Sequence, residues 1–254
     1  NITDANATQH DGNYSVVVGN DFGSVESEDI VLDVNTTLLN GLVGWWKFDE
    51  GSGTVAYDSS GNGHDGNLTN GPTWTDGKIG GALSFDGVDD YVSVSERYWE
   101  IENTFSVSLW YKISQDINYD GTIFCLGQPG DLNENEILLK TRENGQKIRF
   151  YSHKKDHNWA SRETLTDKLS FFHFVGVLRG GYEEDKIIVY LNGIDTGTFL
   201  TQGNPALLEN TNPKVLKIGK RNGDPVYPFN GLIDDVRIYD RALSAEEVQA
   251  LYNL

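Results

Sequence analysis

One short acidic loop has the residue spacing of a calcium-binding loop. The segment 58–64 has the sequence Asp-Ser-Ser-Gly-Asn-Gly-His, with oxygen donors at positions 1, 3 and 5 and a glycine at position 6. Calcium loops use this spacing because alternate side chains point inward and the glycine permits a sharp turn. Asp58, Asn62 and the carbonyl of His64 are therefore predicted ligands. Thr69 stands where an acidic ligand usually completes the loop, so the fourth ligand must come from elsewhere. The same residues also suit a simple turn without a metal.

Two further groups of carboxylates are weaker metal candidates. Asp86, Asp89 and Asp90 flank a glycine in a predicted turn, where we expect Asp86 to cap backbone amides rather than bind an ion. Asp49 and Glu50 follow a predicted strand and are second-choice ligands.

A polar stretch between Tyr151 and Trp159 combines the side chains that bind sugars. It contains two aromatic residues, two histidines and two lysines. Sugars stack on aromatic rings and receive hydrogen bonds from a few polar side chains. We predict that Tyr151 and Trp159 stack on sugar rings, while His157 and Arg162 bind hydroxyls or a charged substituent. The local positive charge indicates an anionic glycan. The alternative is a solvated hairpin loop anchored by Trp159.

The charge and cysteine content exclude several classes of function. Asp plus Glu number 38 and Lys plus Arg number 20, for a net charge of −18. This charge repels phosphate backbones and anionic membrane surfaces, so we expect no nucleic-acid partner. Cys125 is the only cysteine, which excludes an internal disulfide and Cys-ligated zinc. No apolar run approaches the roughly 18 residues of a membrane span, so we expect no membrane insertion. The many carboxylates instead favour Ca²⁺ as the cofactor.

Short alternating segments bounded by turn residues predict an all-β body. Asn192-Gly193 predicts a two-residue hairpin turn, and the residues from Ser244 to Glu247 predict a capping box that starts a short terminal helix. We expect this helix to seal one edge of a sandwich or barrel. The clearest predicted strands are 42–48, 105–111, 147–151, 172–178, 187–191, 216–219 and 232–239.

Four motifs follow one another along the chain, namely Gly44–Gly53, Tyr57–Gly66, Ala82–Val92 and Gly231–Leu243. Taken in this order, they resemble the laminin-G-like, concanavalin A-like jelly-roll domain of secreted bacterial proteins, over about residues 41–254. The resemblance implies an antiparallel two-sheet jelly-roll sandwich, an extracellular location and usually a calcium ion.

The resemblance also suggests the missing metal ligand. In a jelly roll the last strand lies beside the first, so Asp234 and Asp235 are candidates. Strand alternation gives Asp234 the parity of Val236 on the core face, and Asp235 that of Arg237 on the outward face. We therefore predict that Asp235 completes the loop at Asp58.

Residues 1–35 differ from the rest and resemble the last strands of a bacterial immunoglobulin-like domain. The alternating runs 14–18 and 30–34, joined by Gly, Asn and Asp, predict a β-hairpin. Residues 36–41 are a predicted linker, and residues 42–254 the jelly roll. Since two strands alone are only marginally stable, we expect the hairpin to dock on the jelly roll, to belong to a further domain upstream in a longer polypeptide, or both.

The sequence thus predicts a non-catalytic, calcium-stabilised carbohydrate-binding or adhesion module of a larger secreted or cell-surface protein. The alternatives are a glycoside hydrolase or polysaccharide lyase of the same fold, or a structural spacer. Concanavalin-like glycosidases carry Glu-x-Asp-x-x-Glu on one strand, and this string does not occur here. The nearest acidic clusters, Glu134–Glu136 and Glu183–Asp185, are expected to be solvated loop charges.

Overall fold

The structure, a computed structural model, divides the chain into two compact units, residues 1–40 and 41–254. The boundary falls within the predicted linker. The residues described are 12–14, 17–20, 23–26, 30–32, 38–97, 99, 104–114, 119–127, 136–153, 159–168, 170–179, 186–200, 214–223 and 227–254.

The first unit contains two strand pairs rather than one hairpin. Strand β1 (Gly12–Tyr14) pairs with β4 (Ile30–Leu32), and β2 (Val17–Asn20) pairs with β3 (Gly23–Glu26). The prediction of a single hairpin was therefore incomplete, because the segment after Tyr14 pairs locally with the next few residues. Local pairing closes the shortest loop and costs the least chain entropy. The immunoglobulin-like origin of this unit stays a prediction.

The second unit is built from two antiparallel eight-stranded sheets, here called the front sheet and the back sheet. The front sheet has the order β15 (Trp159–Leu165), β14 (Lys147–His153), β13 (Glu136–Arg142), β12 (Thr122–Gly127), β19 (Lys214–Ile218), β10 (Tyr91–Arg97), β7 (Gly66–Thr69) and β6 (Val55–Ala56). The back sheet has the order β18 (Ile194–Leu200), β17 (Lys186–Leu191), β16 (Phe172–Arg179), β11 (Thr104–Ile113), β20 (Asn230–Tyr239), β9 (Gly81–Asp86) and β8 (Thr73–Asp76), and β5 (Leu42–Trp46) also pairs with β20.

Strand β20 changes its partner halfway along its length. Its first half pairs with β9 and its second half with β5, while β11 runs along the other side. The change occurs at a β-bulge, where Asp235 has a φ of +48° and the register with β11 slips between Ser108 and Trp110. The last strand therefore lies beside the first strand of the unit, as the resemblance implied.

The hydrophobic core lies between the two sheets. Alternate residues of both inner faces are almost completely buried, including Phe150 of the front sheet and Phe174 of the back sheet, whose rings meet edge to face at 5.4 Å. The prediction of an all-β, antiparallel two-sheet sandwich with one short terminal helix is confirmed. Asn192 and Gly193 both have positive φ, as a two-residue hairpin turn between β17 and β18 requires.

The terminal helix covers a sheet face rather than an edge. Helix α1 (Ala245–Tyr252) begins with the predicted capping box between Ser244 and Glu247. Its Tyr252 stacks on Trp110 at 5.7 Å and contacts His173 at 6.0 Å, both on inner strands of the back sheet. The expected edge position was wrong because the outer face of the back sheet carries large rings that need cover. Within the described residues, no helix is both long and apolar enough to cross a membrane.

The packing between the sheets predicts a severe cost for one added methyl group. A Cβ atom at Gly176 would lie 2.6 Å from the buried ring of Phe150. We expect Gly176→Ala to lower the free energy of unfolding by about 1–3 kcal/mol, because overpacked cores force side chains out of their rotamers. Urea unfolding measures this change.

A double-mutant cycle with Phe150→Leu provides the control. If the clash is the cause, the second substitution recovers part of the loss. Strictly additive effects would contradict this explanation.

Candidate functional site

The loop that follows β6 closes around the carboxylate of Asp58. Oδ1 accepts hydrogen bonds from the backbone N–H groups of Trp45 and Ser60, both at 2.9 Å. Oδ2 accepts from the Ser60 hydroxyl at 2.8 Å and from the His64 N–H at 2.9 Å. An ionised carboxylate has about four acceptor positions, so protein donors fill this one.

The other predicted ligands of this loop also bind β5. The His64 carbonyl accepts from the indole of Trp46 at 2.8 Å. The Asn62 amide donates to the carbonyls of Leu42 and Val43 at 3.1 and 3.0 Å. The loop thus ties the first strand of the back sheet to the edge of the front sheet. Calcium binding by Asp58, Asn62 and His64 stays a prediction, and the N–H groups directed at Asp58 oppose a cation there.

The bulge in β20 changes which side Asp234 faces. Asp234 pairs with Trp110, whose ring lies under α1 on the outer face of the back sheet. The predicted core-face position of Asp234 was therefore wrong, because alternation is broken where β20 has an extra residue. Asp235 binds the Trp45 indole at 2.6 Å and the guanidinium of Arg237 at 3.1 Å. Its role as a ligand with Asp58 stays a prediction.

Asp234 and Asp49 hold the same turn between β8 and β9. Oδ2 of Asp234 accepts from the N–H groups of Lys78 and Ile79 at 2.7 and 2.9 Å. Oδ1 of Asp49 accepts from the Gly81 N–H at 2.7 Å. Oδ1 of Asp234 is buried and has no hydrogen-bond partner among the residues that the structure describes.

The position of Asp234 is electrostatically unfavourable for an isolated carboxylate. Its side chain is completely buried. Burial, together with the charges of Asp235 and Asp49, raises its pKa to about 7 despite the two backbone hydrogen bonds. A buried anion without a full set of partners is costly, so either a proton or a cation would relieve it.

The carboxylates of Asp86, Asp89 and Asp90 lie within 4.8 Å of one another and could hold a metal ion. Asp86 accepts from the Val88 N–H at 2.7 Å, which agrees with its expected capping role. Burial and the charges of Asp86 and Asp89 raise the pKa of Asp90.

A different surface, the outer face of the front sheet, gathers tyrosines and lysines. The register aligns Tyr151, Leu138, Cys125 and Lys217 in one row across β14, β13, β12 and β19. Strands lie about 4.8 Å apart, so the face from β14 to β10 is roughly 19 Å wide. Tyr151 and Lys217, at the ends of the row, are partly exposed, whereas Leu138 and Cys125 between them are completely buried, so a ligand would contact the face mainly at its two sides.

Two aromatic–lysine clusters lie on this face, here called the β14 cluster and the β10 cluster. In the β14 cluster, the Lys140 ammonium is 5.5 Å from the ring centroids of both Tyr151 and Tyr227. In the β10 cluster, Lys217 and Lys220 are 5.0 and 4.9 Å from the ring centroid of Tyr91. Ammonium groups are attracted to aromatic faces, which holds these side chains at the surface of the sheet.

A buried ion pair separates the two clusters. Arg221 follows β19 and reaches across β12 to Glu136 on β13, donating from both Nε and Nη2 to its carboxylate. Cys125 lies beneath this pair, with its Sγ 3.9 Å from the Glu136 carboxylate. Burial first, and then the charge of Glu136, raise the pKa of this thiol. Cys125 is thus a buried, unreactive side chain, as a lone cysteine among apolar neighbours predicted.

The structure places one predicted sugar-binding residue in these clusters. Tyr151 belongs to the β14 cluster, whereas His157 lies outside the described residues. Trp159 and Arg162 are in β15, where Trp159 pairs with His153 and Arg162 pairs with Phe150. Their roles in binding stay predictions.

Sequence reasoning missed most of the other members of the clusters. Tyr91 lies in one of the recognised motifs, and alternation along each strand could have assigned it and the lysines to the outward face. The local sequence does not predict that β10, β13 and β19, which are far apart along the chain, lie in one sheet. The missed residues are Tyr91, Lys140, Lys217 and Lys220, whereas Tyr227 ends the stretch 221–227, which resembles the stretch 151–159 in composition and is a second candidate from the sequence alone.

The hydrogen bonds to Asp58 predict a stability effect without any metal. We expect Asp58→Asn to lower the free energy of unfolding by about 2–3 kcal/mol at neutral pH, because the amide replaces an acceptor oxygen with a donor. Urea unfolding in the absence of calcium measures the loss. Asp76→Asn, an exposed position, is the matched control and should be near neutral.

The pH dependence provides a second check on Asp58. Burial raises its pKa, but the hydrogen bonds from His64, Ser60 and Trp45 outweigh burial, so the folded-state pKa lies below the usual value. Its stabilising contribution is therefore complete above about pH 4 and is lost as the pH falls through the folded-state pKa. A wild-type advantage over Asp58→Asn that is unchanged at low pH would contradict this assignment.

Known proteins with the same architecture include a domain of an extracellular arabinanase and the receptor-binding domains of toxins. Domain 4 of AbnA, a GH43 extracellular arabinanase from Geobacillus stearothermophilus solved in complex with arabinotriose, is 24% identical, with a TM-score of 0.65. The match covers 83% of this chain and 98% of that domain. No protein with a curated functional description matches the sequence.

Two toxin domains share the fold over part of their length. The receptor binding domain of botulinum neurotoxin C/D mosaic serotype is 17% identical, with a TM-score of 0.62, and the match covers 84% of this chain and 51% of that domain. The binding domain of Paraclostridial Mosquitocidal Protein 1 is 16% identical, with a TM-score of 0.63 and coverage of 85% and 52%. The chain thus spans about half of these toxin domains.

The sequence also matches a family model directly. The model describes the concanavalin A-like lectin/glucanases superfamily and matches residues 86–249, which include strands β10 to β20 and the start of the terminal helix. The chain therefore belongs to the concanavalin A-like lectin/glucanase superfamily.

Proposed function

We propose that the chain is a non-catalytic carbohydrate-binding module of a secreted or cell-surface protein, and that it binds polysaccharide on the outer face of the front sheet. The observation that carries this proposal is the pair of aromatic–lysine clusters on one wide sheet face. Tyrosine rings supply apolar area and a hydroxyl at low entropic cost, which suits sugar rings. The arabinotriose complex of the arabinanase domain supports a glycan as the partner.

A binding role fits this face better than a catalytic one. Glycoside hydrolysis needs two carboxyl groups, one on each side of the scissile bond. Among the described residues of this face, the most central carboxylate is that of Glu136, which is buried and bound to Arg221. A carboxylate held in this way is poorly placed to donate a proton to a sugar oxygen. The absence of turnover is therefore part of the proposal.

We also propose that Ca²⁺ stabilises the fold, with Asp234 as its principal ligand. The unpartnered Oδ1 of Asp234 is the observation in favour, because a hard cation prefers carboxylate oxygens and compensates buried negative charge. Asp49, which holds the same turn, is the second ligand. The Asp58 loop is less suitable because N–H groups already occupy its carboxylate. When bound, the ion would act as a structural clamp on the turn between β8 and β9.

The glycan proposal predicts specific losses of affinity. We expect Tyr151→Ala to weaken binding of an oligosaccharide at least tenfold, because truncating one aromatic anchor typically costs about 2 kcal/mol. We expect Trp159→Ala to weaken binding to a similar extent. A glycan array identifies the ligand, and titration calorimetry with arabinotriose and the array's best oligosaccharide measures the loss.

Two controls make this test decisive. Tyr57→Ala removes an exposed tyrosine outside both clusters and should leave affinity unchanged. Thermal melts separate lost binding from lost folding. Release of reducing ends from the same polysaccharides, abolished by changing a single Asp or Glu, would overturn the non-catalytic assignment.

The calcium proposal predicts that one conservative substitution abolishes the response to the ion. A ligand that binds only the native state stabilises it by about 2.7 kcal/mol at a hundredfold excess over its dissociation constant. Wild type should therefore melt several degrees higher in calcium than in EDTA, and Asp234→Asn should melt at the same temperature in both. Differential scanning calorimetry measures both midpoints.

Variants at the competing carboxylates locate the ion. Asp58→Asn and Asp89→Asn should keep the calcium response, although Asp58→Asn melts lower throughout. If the calcium response is lost in only one of these two variants, the ion binds at the carboxylate changed in that variant and not at Asp234. A wild-type midpoint that is equal in calcium and EDTA would exclude calcium stabilisation.

A further inference from the structure

The outer face of the front sheet is cationic in a strongly anionic protein. The chain carries a net charge of −18. Lys140, Lys217 and Lys220 nevertheless project from this one face or its margin. Three positive charges on one face of a protein with a negative net charge indicate that this face binds a negatively charged partner.

Acidic residues near these lysines are already paired with arginines. Glu136 binds Arg221, and Asp120 binds Arg142 at 2.7 Å. In the part of the chain that the structure describes, none of the three lysines forms an ion pair with a carboxylate. The local acids are thus neutralised, and the ammonium groups retain their positive charge at the surface.

The lysines also lie close to other cations. Burial, followed by the neighbouring charge of Arg142, lowers the pKa of Lys140, and burial followed by the charge of Lys220 lowers that of Lys217. Both side chains are half-buried, so screening by water is reduced. An anion placed between the lysines would relieve this repulsion.

The position of the ammonium groups distinguishes anionic from neutral sugars. Each ammonium lies over a tyrosine ring, and Lys140 is equidistant from two of them. A neutral sugar that stacks on such a ring must displace the ammonium group from its face. A carboxylate or sulfate can instead pair with the ammonium where it lies, while the sugar ring contacts the tyrosine edge.

We propose that the ligand of this face is an anionic polysaccharide, whose carboxylate or sulfate groups bind Lys140 at the β14 cluster and Lys217 and Lys220 at the β10 cluster. This inference rests on the proposed glycan-binding function and specifies its substrate class. The two clusters together span the face from Tyr151 on β14 to Tyr91 on β10, four strand spacings or roughly 19 Å. Their lysines Lys140 and Lys217 lie two strands apart, on β13 and β19, so a ligand that binds both clusters must be extended and carry more than one charge. Nucleic acids and anionic membranes present repeated charges too, but as much larger charged objects, which the net charge of −18 repels.

Matched ligands that differ only in charge test the proposal. Titration calorimetry compares an oligogalacturonate with its methyl ester for carboxylate, and dextran sulfate with dextran for sulfate. We expect the wild-type protein to bind at least one charged ligand about tenfold more tightly than its neutral partner, and this advantage to decrease with salt. The two pairs identify which anionic group is recognised.

Lysine variants locate the interaction. Lys140→Gln and Lys217→Gln should each remove most of the advantage of the charged ligand. Binding of the neutral ligand should not weaken in either variant, because its sugar ring no longer has to displace an ammonium group from the tyrosine face. Lys112→Gln is the matched control, since this lysine also lies over an aromatic ring, Phe171, but belongs to the back sheet. It should have no effect.

The outcomes separate this inference from the proposed function. If charged and neutral ligands bind equally, and Tyr151→Ala still abolishes binding, the face binds glycans but the anionic assignment is wrong. If no glycan on the array or in these pairs binds, the proposed function itself is wrong. Equal affinity for duplex DNA or for phosphatidylserine vesicles, lost in the same lysine variants, would overturn the anionic-polysaccharide assignment in favour of general anion binding.

Discussion

The pair of carboxylates in the middle of strand β20 is the constraint on which the rest of the sandwich depends. At Asp234 and Asp235 the strand exchanges β9 for β5 as its neighbour. Asp234 binds backbone amides of the turn between β8 and β9, and Asp235 binds the indole of Trp45 in β5. Asp234 thus holds the turn before β9 against β20, and Asp235 holds β5 against β20. The positive φ at Asp235 is the conformational cost of making this exchange.

The same use of carboxylates recurs at other loops and explains part of the acidic composition. Asp58 and Asp86 accept hydrogen bonds from backbone N–H groups of their own turns, and Asp49 accepts one from the first residue of β9. Charged acceptors form the stronger class of hydrogen bond, and turns between short strands leave many amides without a ladder partner. An excess of aspartate therefore does not require an equal number of bound cations. The spacing of the acidic loop at Asp58 therefore fits a hydrogen-bonded turn as well as a calcium site.

The outer face of the front sheet is positively charged because its carboxylates and its lysines have different partners. Arginines neutralise the carboxylates of that face, whereas the lysines lie over tyrosine rings. A guanidinium pairs with a carboxylate in a two-pronged geometry that an ammonium group cannot reproduce. Because the arginines pair with the carboxylates, the lysines keep their hydrogen-bonding positive charge beside the tyrosine rings. A surface of this kind can recognise both the faces and the charged substituents of a polymer.

Local patterns in the sequence determined the strands, the Asn192-Gly193 turn and the capping box at Ser244, because each depends on residues adjacent in the chain. They also identified Tyr151 and the carboxylates near Asp58 and Asp234 as functional candidates. Only the tertiary structure decided which way Asp234 faces, since one extra residue opposite Leu109 reverses the alternation on which parity arguments depend. It alone also brought Lys140, Lys217 and Tyr91 onto one face. Their strands become neighbours through long-range antiparallel pairing, which is selected by burial of the opposite faces in a common core and not by any property of the outward residues themselves.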